Sequence, residues 1–187
     1  GSMRNLCFLI LFLTLTSVWA IDVTVSEAPD DTLALTISAI KSAKKKLLIN
    51  VYELTSPEIA KALQAQIESG ITVKILVEGN PVGGFSKAAA SIKKQLVSSM
   101  KKQDFNDRFF VMENNGEKKR RFVFDHAKYV VIDDNSVLVG SENYSPTGNP
   151  NPTSLGNRGW EVWVQDGALA DYFTKIFEND TVTQYGD

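Results

Sequence analysis

The chain of 187 residues suits one domain, and its 43% hydrophobic content is enough to bury a core. A formal charge of −2 argues against a protein that binds nucleic acid with its whole surface, while leaving room for a local basic groove. One cysteine, Cys7, excludes an intrachain disulfide framework.

Gly1 and Ser2 precede Met3 and read as an expression-tag remnant. Residues 3–20 have the layout of a signal peptide. Arg4 supplies the positive start, residues 6–15 an apolar run, and Val18 and Ala20 occupy positions −3 and −1 of a cleavage before Ile21. The run falls short of the roughly 20 apolar residues of a spanning helix, and an uncleaved N-terminal anchor is the rival reading. Either way the protein is expected to be exported: periplasmic, extracellular or anchored at the outer face. Cleavage would remove Arg4 and Cys7, leaving a slightly more acidic chain without thiol chemistry.

Residues 21–187 are expected to form a single domain. Ile21, Val23 and Val25 alternate with polar residues and predict a first strand. Asp30 and Asp31 are placed to cap a helix that carries Leu33, Ile37 and Ile40 and ends in Lys44, Lys45 and Lys46, charges that suit the helix dipole. An apolar run over 47–52 predicts a buried strand. Ser56 and Pro57 open a second helix with Ile59, Leu63 and Ile67 inside and Gly70 as its stop. A strand over 71–77 follows, and strands alternating with helices predict a mostly parallel sheet. Next come a loop over 80–84, a helix over 86–102, a strand over 108–112 and a turn at Asn114-Asn115-Gly116. From Arg121 the pattern becomes antiparallel: a strand to Ile132, a turn at Asp133-Asp134-Asn135, and a strand over 137–141. After a polar loop over 145–156, a strand over 160–164 carries Trp160 and Trp163 on opposite faces, so at least one belongs to the core. A helix over 168–177 closes the chain. The expected fold is α/β, a mixed, largely parallel β-sheet flanked by helices.

The antiparallel hairpin carries the chemistry. His126 and Lys128 lie two apart on a predicted strand and share a face; Ser141 and Asn143 repeat that spacing at the end of the next. Imidazole, ammonium, hydroxyl and amide on one surface suit phosphoryl transfer. A neutral imidazole attacks phosphorus, and the Lys and Asn donors stabilise charge on the non-bridging oxygens. Glu161, on the following strand, is placed to accept the other imidazole N–H. Among the basic runs, Lys118, Lys119, Arg120 and Arg121 lead directly into this strand and have the best claim to track a polyanion. The lysine pairs and triplet elsewhere read as solvated helix faces. Asp133-Asp134-Asn135 reads as turn chemistry rather than a metal site. Gly83-Gly84 lacks the Lys-Ser/Thr that a phosphate cradle needs and reads as a loop.

The spacing His126-x-Lys128-x4-Asp133-x6-Gly140-Ser141-x-Asn143 is complete at every fixed position of the HKD signature, and in this the chain resembles the phospholipase D superfamily. The likeness extends to Val51-Tyr52-Glu53-Leu54, to Val77-Glu78-Gly79-Asn80-Pro81, to Asn157-Arg158-Gly159-Trp160-Glu161 and to Phe177-Glu178-Asn179-Asp180, covering nearly all of 28–180. It implies a metal-independent phosphodiesterase with no cofactor. His126 would form a covalent phosphohistidine, Lys128 and Asn143 would hold the phosphate, Ser141 would lie nearby and Glu161 would bond the histidine. Asp133 would tie its turn rather than touch phosphate.

The family's site uses a second histidine as general acid, and this chain has one histidine in all. The resemblance therefore implies a homodimer with a shared active site, or one half of a tandem two-motif protein. Small single-motif members of the family point to a non-specific endonuclease on DNA or RNA. The alternative is a phospholipase D acting on phosphatidyl diesters; a domain that binds without catalysis is a third reading, disfavoured by the intact motif.

Overall fold

The computed structural model describes residues 20–103, 107–113 and 122–182. The chain runs β1 (Asp22–Ala28), α1 (Thr32–Ser42), β2 (Lys46–Val51), α2 (Pro57–Glu68), β3 (Thr72–Glu78), α3 (Lys87–Lys102), β4 (Arg108–Met112), β5 (Lys128–Ile132), β6 (Ser136–Gly140), β7 (Gly159–Gln165) and α4 (Gly167–Thr181). The helix starts follow from local chemistry. Ser56 Oγ accepts the Ile59 N–H with Pro57 at the first helical position, Ser86 Oγ accepts the Ala89 N–H, and Asp166 accepts the Leu169 N–H. Gly70 ends α2 in the left-handed region, at φ 92°. Asp31 departs from its expected role: its side chain leaves the helix uncapped and accepts the Glu27 N–H instead, closing the turn after β1.

The strands form one seven-stranded mixed sheet of order β1-β7-β6-β5-β2-β3-β4. Parallel pairing is confined to β2, β3 and β4, the part built from strand–helix–strand units. The remaining pairings are antiparallel, because β5, β6 and β7 follow one another without intervening helices and β7 then pairs with β1. The sheet is mixed, as expected, but parallel pairing accounts for only two of its six strand pairings, so it is not largely parallel. Alternation along the strands sends Ile49, Val51, Ile75, Val77, Val130 and Leu138 into a core beneath α1, α2 and α3. Leu48, Leu76, Tyr129, Val131 and Val137 face the other way, against α4.

The two faces are unequally covered. Three helices lie on one, while α4 alone lies on the other, against β6, β5 and β2. Among the described residues, no helix therefore covers the outer strands β1 and β7 on the α4 side. Val23, Val25 and Trp160 are each more than half exposed there, with Val162 and Val164 half-buried between them. The apolar alternation in β1 was a sound strand signal, but its apolar side faces outward and the buried side holds Ser26 and Ala28. Trp163 takes the inner position, packing on the core and donating its indole N–H to Ser136 Oγ at 3.0 Å. Among the described residues no helix is long and apolar enough to cross a membrane.

Candidate active site

His126 sits before β5 rather than within it. The strand expected from Arg121 begins only at Lys128; Arg121 itself lies outside the described residues, and 122–127 stand off the ladder. The reason is in the hydrogen bonds. The Asp125 N–H donates to Glu78 Oε2 at 2.7 Å, and Ala127 O accepts the Tyr52 N–H at 3.1 Å. These two bonds draw the segment over the ends of β2 and β3. The imidazole is exposed, yet its ring centre lies 4.8 Å from that of Tyr52, edge to face. Lys128 Nζ stands 5.3 Å from the same ring centre, within cation–π range. Tyr52 therefore gathers the two groups that shared spacing on a strand was expected to gather. It is held in turn by the Val82 N–H, which donates to its hydroxyl at 2.6 Å.

The Lys128 side chain is buried and its Nζ donates to His126 O at 2.8 Å. Burial lowers its pKa from the ordinary lysine value, while Asp125 and Glu142 oppose that shift and favour the ammonium. The His126 pKa is also lowered, first by burial and then by the Lys128 charge. Both effects favour a neutral imidazole near neutral pH, the form that has a lone pair to donate.

Asn143 and Ser141 follow the end of β6. Asn143 Oδ1 is buried without a hydrogen-bond partner among the described residues, and the Asn143 carbonyl accepts from Asn149 Nδ2 at 3.0 Å. Ser141 Oγ accepts the Trp160 N–H at 3.0 Å and donates to Glu142 Oε1 at 3.4 Å, so its hydroxyl closes the end of the β6–β7 ladder. Glu161 is buried at the start of β7. Its Oε2 accepts the Thr36 hydroxyl at 2.6 Å, and its Oε1 is buried without a partner among the described residues. In this structure the bond received by Glu161 comes from Thr36 of α1, where an imidazole N–H had been anticipated. Burial, the largest influence, pushes its pKa up to about 7, and the Thr36 bond only partly offsets that.

Asp133 lies at the opposite end of β5 from Lys128. At φ 52° it turns the chain, and its carboxylate accepts the N–H groups of Lys44, Lys45 and Lys46. That geometry ties the turn to the entry of β2. Lys118, Lys119, Arg120 and Arg121 lie outside the described residues. Gly83 and Gly84 both adopt positive φ in the loop that carries Val82.

Several neighbours of the site carried no signal in the spacing: Thr36 on α1, Asn149 in the long loop, and Glu142 at the variable position of Gly-Ser-x-Asn. Tyr52 was visible only as part of the family-like stretch at the end of β2. A cleft lined by Tyr52, Glu78, Pro81, Phe85 and Phe109 opens beside the site, but neither His126 nor Lys128 lines it.

Residues 36–181 match the model of a family described as "Cardiolipin synthase, PLD-like domain". The chain belongs to this family, within the phospholipase D superfamily of phosphodiester-cleaving and phosphatidyl-transferring enzymes. No curated protein sequence matches it. Its fold is similar to that of Nuc, a phospholipase D family member from Salmonella typhimurium, with a TM-score of 0.74 at 23% identity over 90% of this chain and 99% of that one. NucT from Helicobacter pylori gives a TM-score of 0.70 at 19% identity, over 90% of this chain and 100% of NucT. Phosphatidylserine synthase from Haemophilus influenzae gives 0.65 at 15%, over 89% of this chain and 40% of the synthase.

Proposed function

We propose that the protein is a metal-independent phosphodiesterase that works through a covalent phosphohistidine on His126, with DNA or RNA as substrate. One observation carries the reading: an exposed imidazole biased towards its neutral form shares the Tyr52 ring with a buried, carboxylate-supported ammonium. The imidazole attacks phosphorus as the bond to the leaving oxygen breaks, and Lys128 and Asn143 hold the non-bridging oxygens. The leaving oxygen takes a proton from a second imidazole. That base then accepts a proton from the water that cleaves the phosphohistidine.

With one histidine in the chain, the second imidazole comes from His126 of a second copy. The bare apolar face of β1 and β7 supports such a pairing, since it begins at Trp160 on the margin of the site. Fold likeness to Nuc and NucT along their whole lengths supports a small, single-motif enzyme. The basic run 118–121 supports a polyanionic substrate, and the leader in 3–20 supports export.

A second reading, a phospholipase D, has its own support. Val82, Phe85, Phe122, Val123, Phe124 and Leu155 are exposed on the segment that carries His126 and on two other loops, an apolar surface suited to a lipid interface. A plasmid-nicking assay in EDTA, run beside a fluorescent phosphatidylcholine assay, separates the two. Nicking that disappears in His126→Ala and nearly disappears in Lys128→Ala supports the nuclease; turnover of lipid alone replaces it with the second reading. Nicking retained in His126→Ala ends the covalent proposal.

A further inference from the structure

Thr36 of α1 is fully buried and meets two oxygens. Its Oγ1 lies 2.6 Å from Glu161 Oε2 and 3.1 Å from Asn149 Oδ1. A hydroxyl has one hydrogen, so it cannot donate to both at once. Two buried oxygens that face each other without a hydrogen between them repel, and no water separates them. The Asn149 amide cannot supply the missing hydrogen by turning over. Its Nδ2 donates to the Asn143 carbonyl at 3.0 Å, and a flip would set two carbonyl oxygens together. The hydrogen therefore belongs to Glu161: a protonated carboxyl donates to Thr36, and Thr36 passes its own hydrogen to Asn149. The 2.6 Å contact suits an acid O–H as well as a carboxylate acceptor, so the 3.1 Å contact decides.

This chain of bonds ends on Asn143. The peptide joining Asn143 to Tyr144 is gripped on both sides: its carbonyl accepts from Asn149 Nδ2, and its N–H donates to Glu53 O at 3.0 Å. Asn149 is itself buried, and its N–H donates to Ser145 O at 2.8 Å. Gly148 lets the loop lie against the same Asn143 carbonyl, where a Cβ would collide.

We propose that Asn149 is a positioning residue for Asn143, oriented by a proton that Glu161 carries and Thr36 relays. This rests on the reading of Asn143 as a phosphate holder given above. It sets Glu161 on the phosphate side of the site, where the family resemblance implied a partner for the histidine.

The surroundings of Glu161 favour that proton. Asp31 before α1 and Glu142 after β6 face it as like charges, and the buried Tyr144 phenol is held neutral beside it. Ser26 of β1 and Gly140 of β6, both uncharged, lie opposite it in the ladder. Among the described residues no lysine, arginine or histidine makes an ion pair with it. Burial, with Asp31 and Glu142, carries its pKa to about 7 against the Thr36 bond. The relay is complete below that value. Above it, Thr36 turns its hydrogen to the carboxylate and Asn149 Oδ1 loses its donor.

The test uses the full chain and three variants. Thr36→Val keeps the shape and removes the hydroxyl, Thr36→Ser restores it, and Glu161→Gln donates an amide N–H to Thr36 at every pH. The first readout is hydrolysis of bis(p-nitrophenyl) phosphate, a diester whose charge is constant across neutrality. The parent KM should rise by about tenfold as pH passes 7, with kcat within about threefold. Thr36→Val should show the raised KM on both sides of neutrality, Thr36→Ser should follow the parent, and Glu161→Gln should lose the rise. A Thr36→Val protein with the KM and pH profile of the parent overturns the proposal. The second readout needs no turnover. In nitrogen–proton correlation spectra, the side-chain amides of Asn149 and Asn143 should shift together with a midpoint near 7 in the parent and hold still in Glu161→Gln. Amides indifferent to pH in the parent, or shifting equally in Glu161→Gln, overturn the proposal even where Thr36→Val does not fold. If the parent cleaves no diester while these amides follow Glu161, the enzymatic reading fails and the relay to Asn143 stands.

Discussion

Gly140 and Glu161 face each other across the β6–β7 pairing, and a Cβ at position 140 would stand 2.9 Å from Glu161 Cγ. The glycine of Gly-Ser-x-Asn thus has a physical reason here: it makes room for a buried carboxyl at the margin of the site. Gly140→Ala should cost about 1–3 kcal/mol, since the Glu161 side chain is held by Thr36 on its far side and by burial. Urea denaturation measures the cost, and a variant as stable as the parent would show that Glu161 has room to move.

The same carboxyl makes stability depend on pH. Glu161 titrates at about 7 in the folded protein, above the ordinary value of 4.5. The folded state therefore holds its proton where the unfolded state has released it, and stability falls as pH rises between those two values. The contribution is present in full below 4.5 and lost above about 7, on the order of 3 kcal/mol at its largest. Glu161→Gln keeps the shape and removes the titration. Thermal melts at pH 5 and pH 8 should differ less in the variant than in the parent; equal pH dependence in the two would place the titration elsewhere.

Asp133 belongs to the same signature but to a different kind of work. Its carboxylate receives three consecutive N–H groups at the entry to β2. Replacing it with Ala orphans them, and the positive φ adds strain for a residue without a polar side chain. Asp133→Ala should lose about 2–3 kcal/mol of stability while the folded fraction keeps its turnover. Asp133→Asn, which tolerates the left-handed conformation, should lose less. A fall in kcat at full folding would bring Asp133 into the chemistry after all.

Much of this architecture was legible because local signals agreed with one another. Ser56-Pro57 and Gly70 bracket a helix whose apolar residues recur at helical spacing, and no tertiary contact overrides them. The motif was legible because its fixed spacing maps onto two strands and a turn. Other features depended on partners that spacing cannot show. Alternation in β1 has a period of two, but which side stays dry depends on where the described helices lie, and none of them covers the α4 side of β1 and β7. Phe122, Val123 and Phe124 looked like the start of a catalytic strand, whereas Asp125 and Ala127 spend their backbone groups on Glu78 and Tyr52. Thr36 meets Glu161 across 125 residues of chain, and a helical threonine gives no sign of such a partner.

If each active site needs His126 from two copies, a dimer in which one copy carries His126→Ala has a single imidazole in its one shared site and cannot both attack and protonate. Mixing parent and variant in equal amounts under exchange should then leave about a quarter of the parent activity, because only parent–parent pairs work. An active monomer would give one half, in linear proportion to the parent fraction, whereas a half-protein awaiting a covalent partner would show no activity before mixing. Trp160→Glu tests the surface independently. A charge in the apolar face of β1 and β7 should shift the molecule to a monomer in light scattering and remove turnover while circular dichroism shows the fold retained, because Trp160 is half exposed in the single chain. A Trp160→Glu protein that stays dimeric moves the shared interface to another face, and one that is monomeric yet active removes the need for sharing.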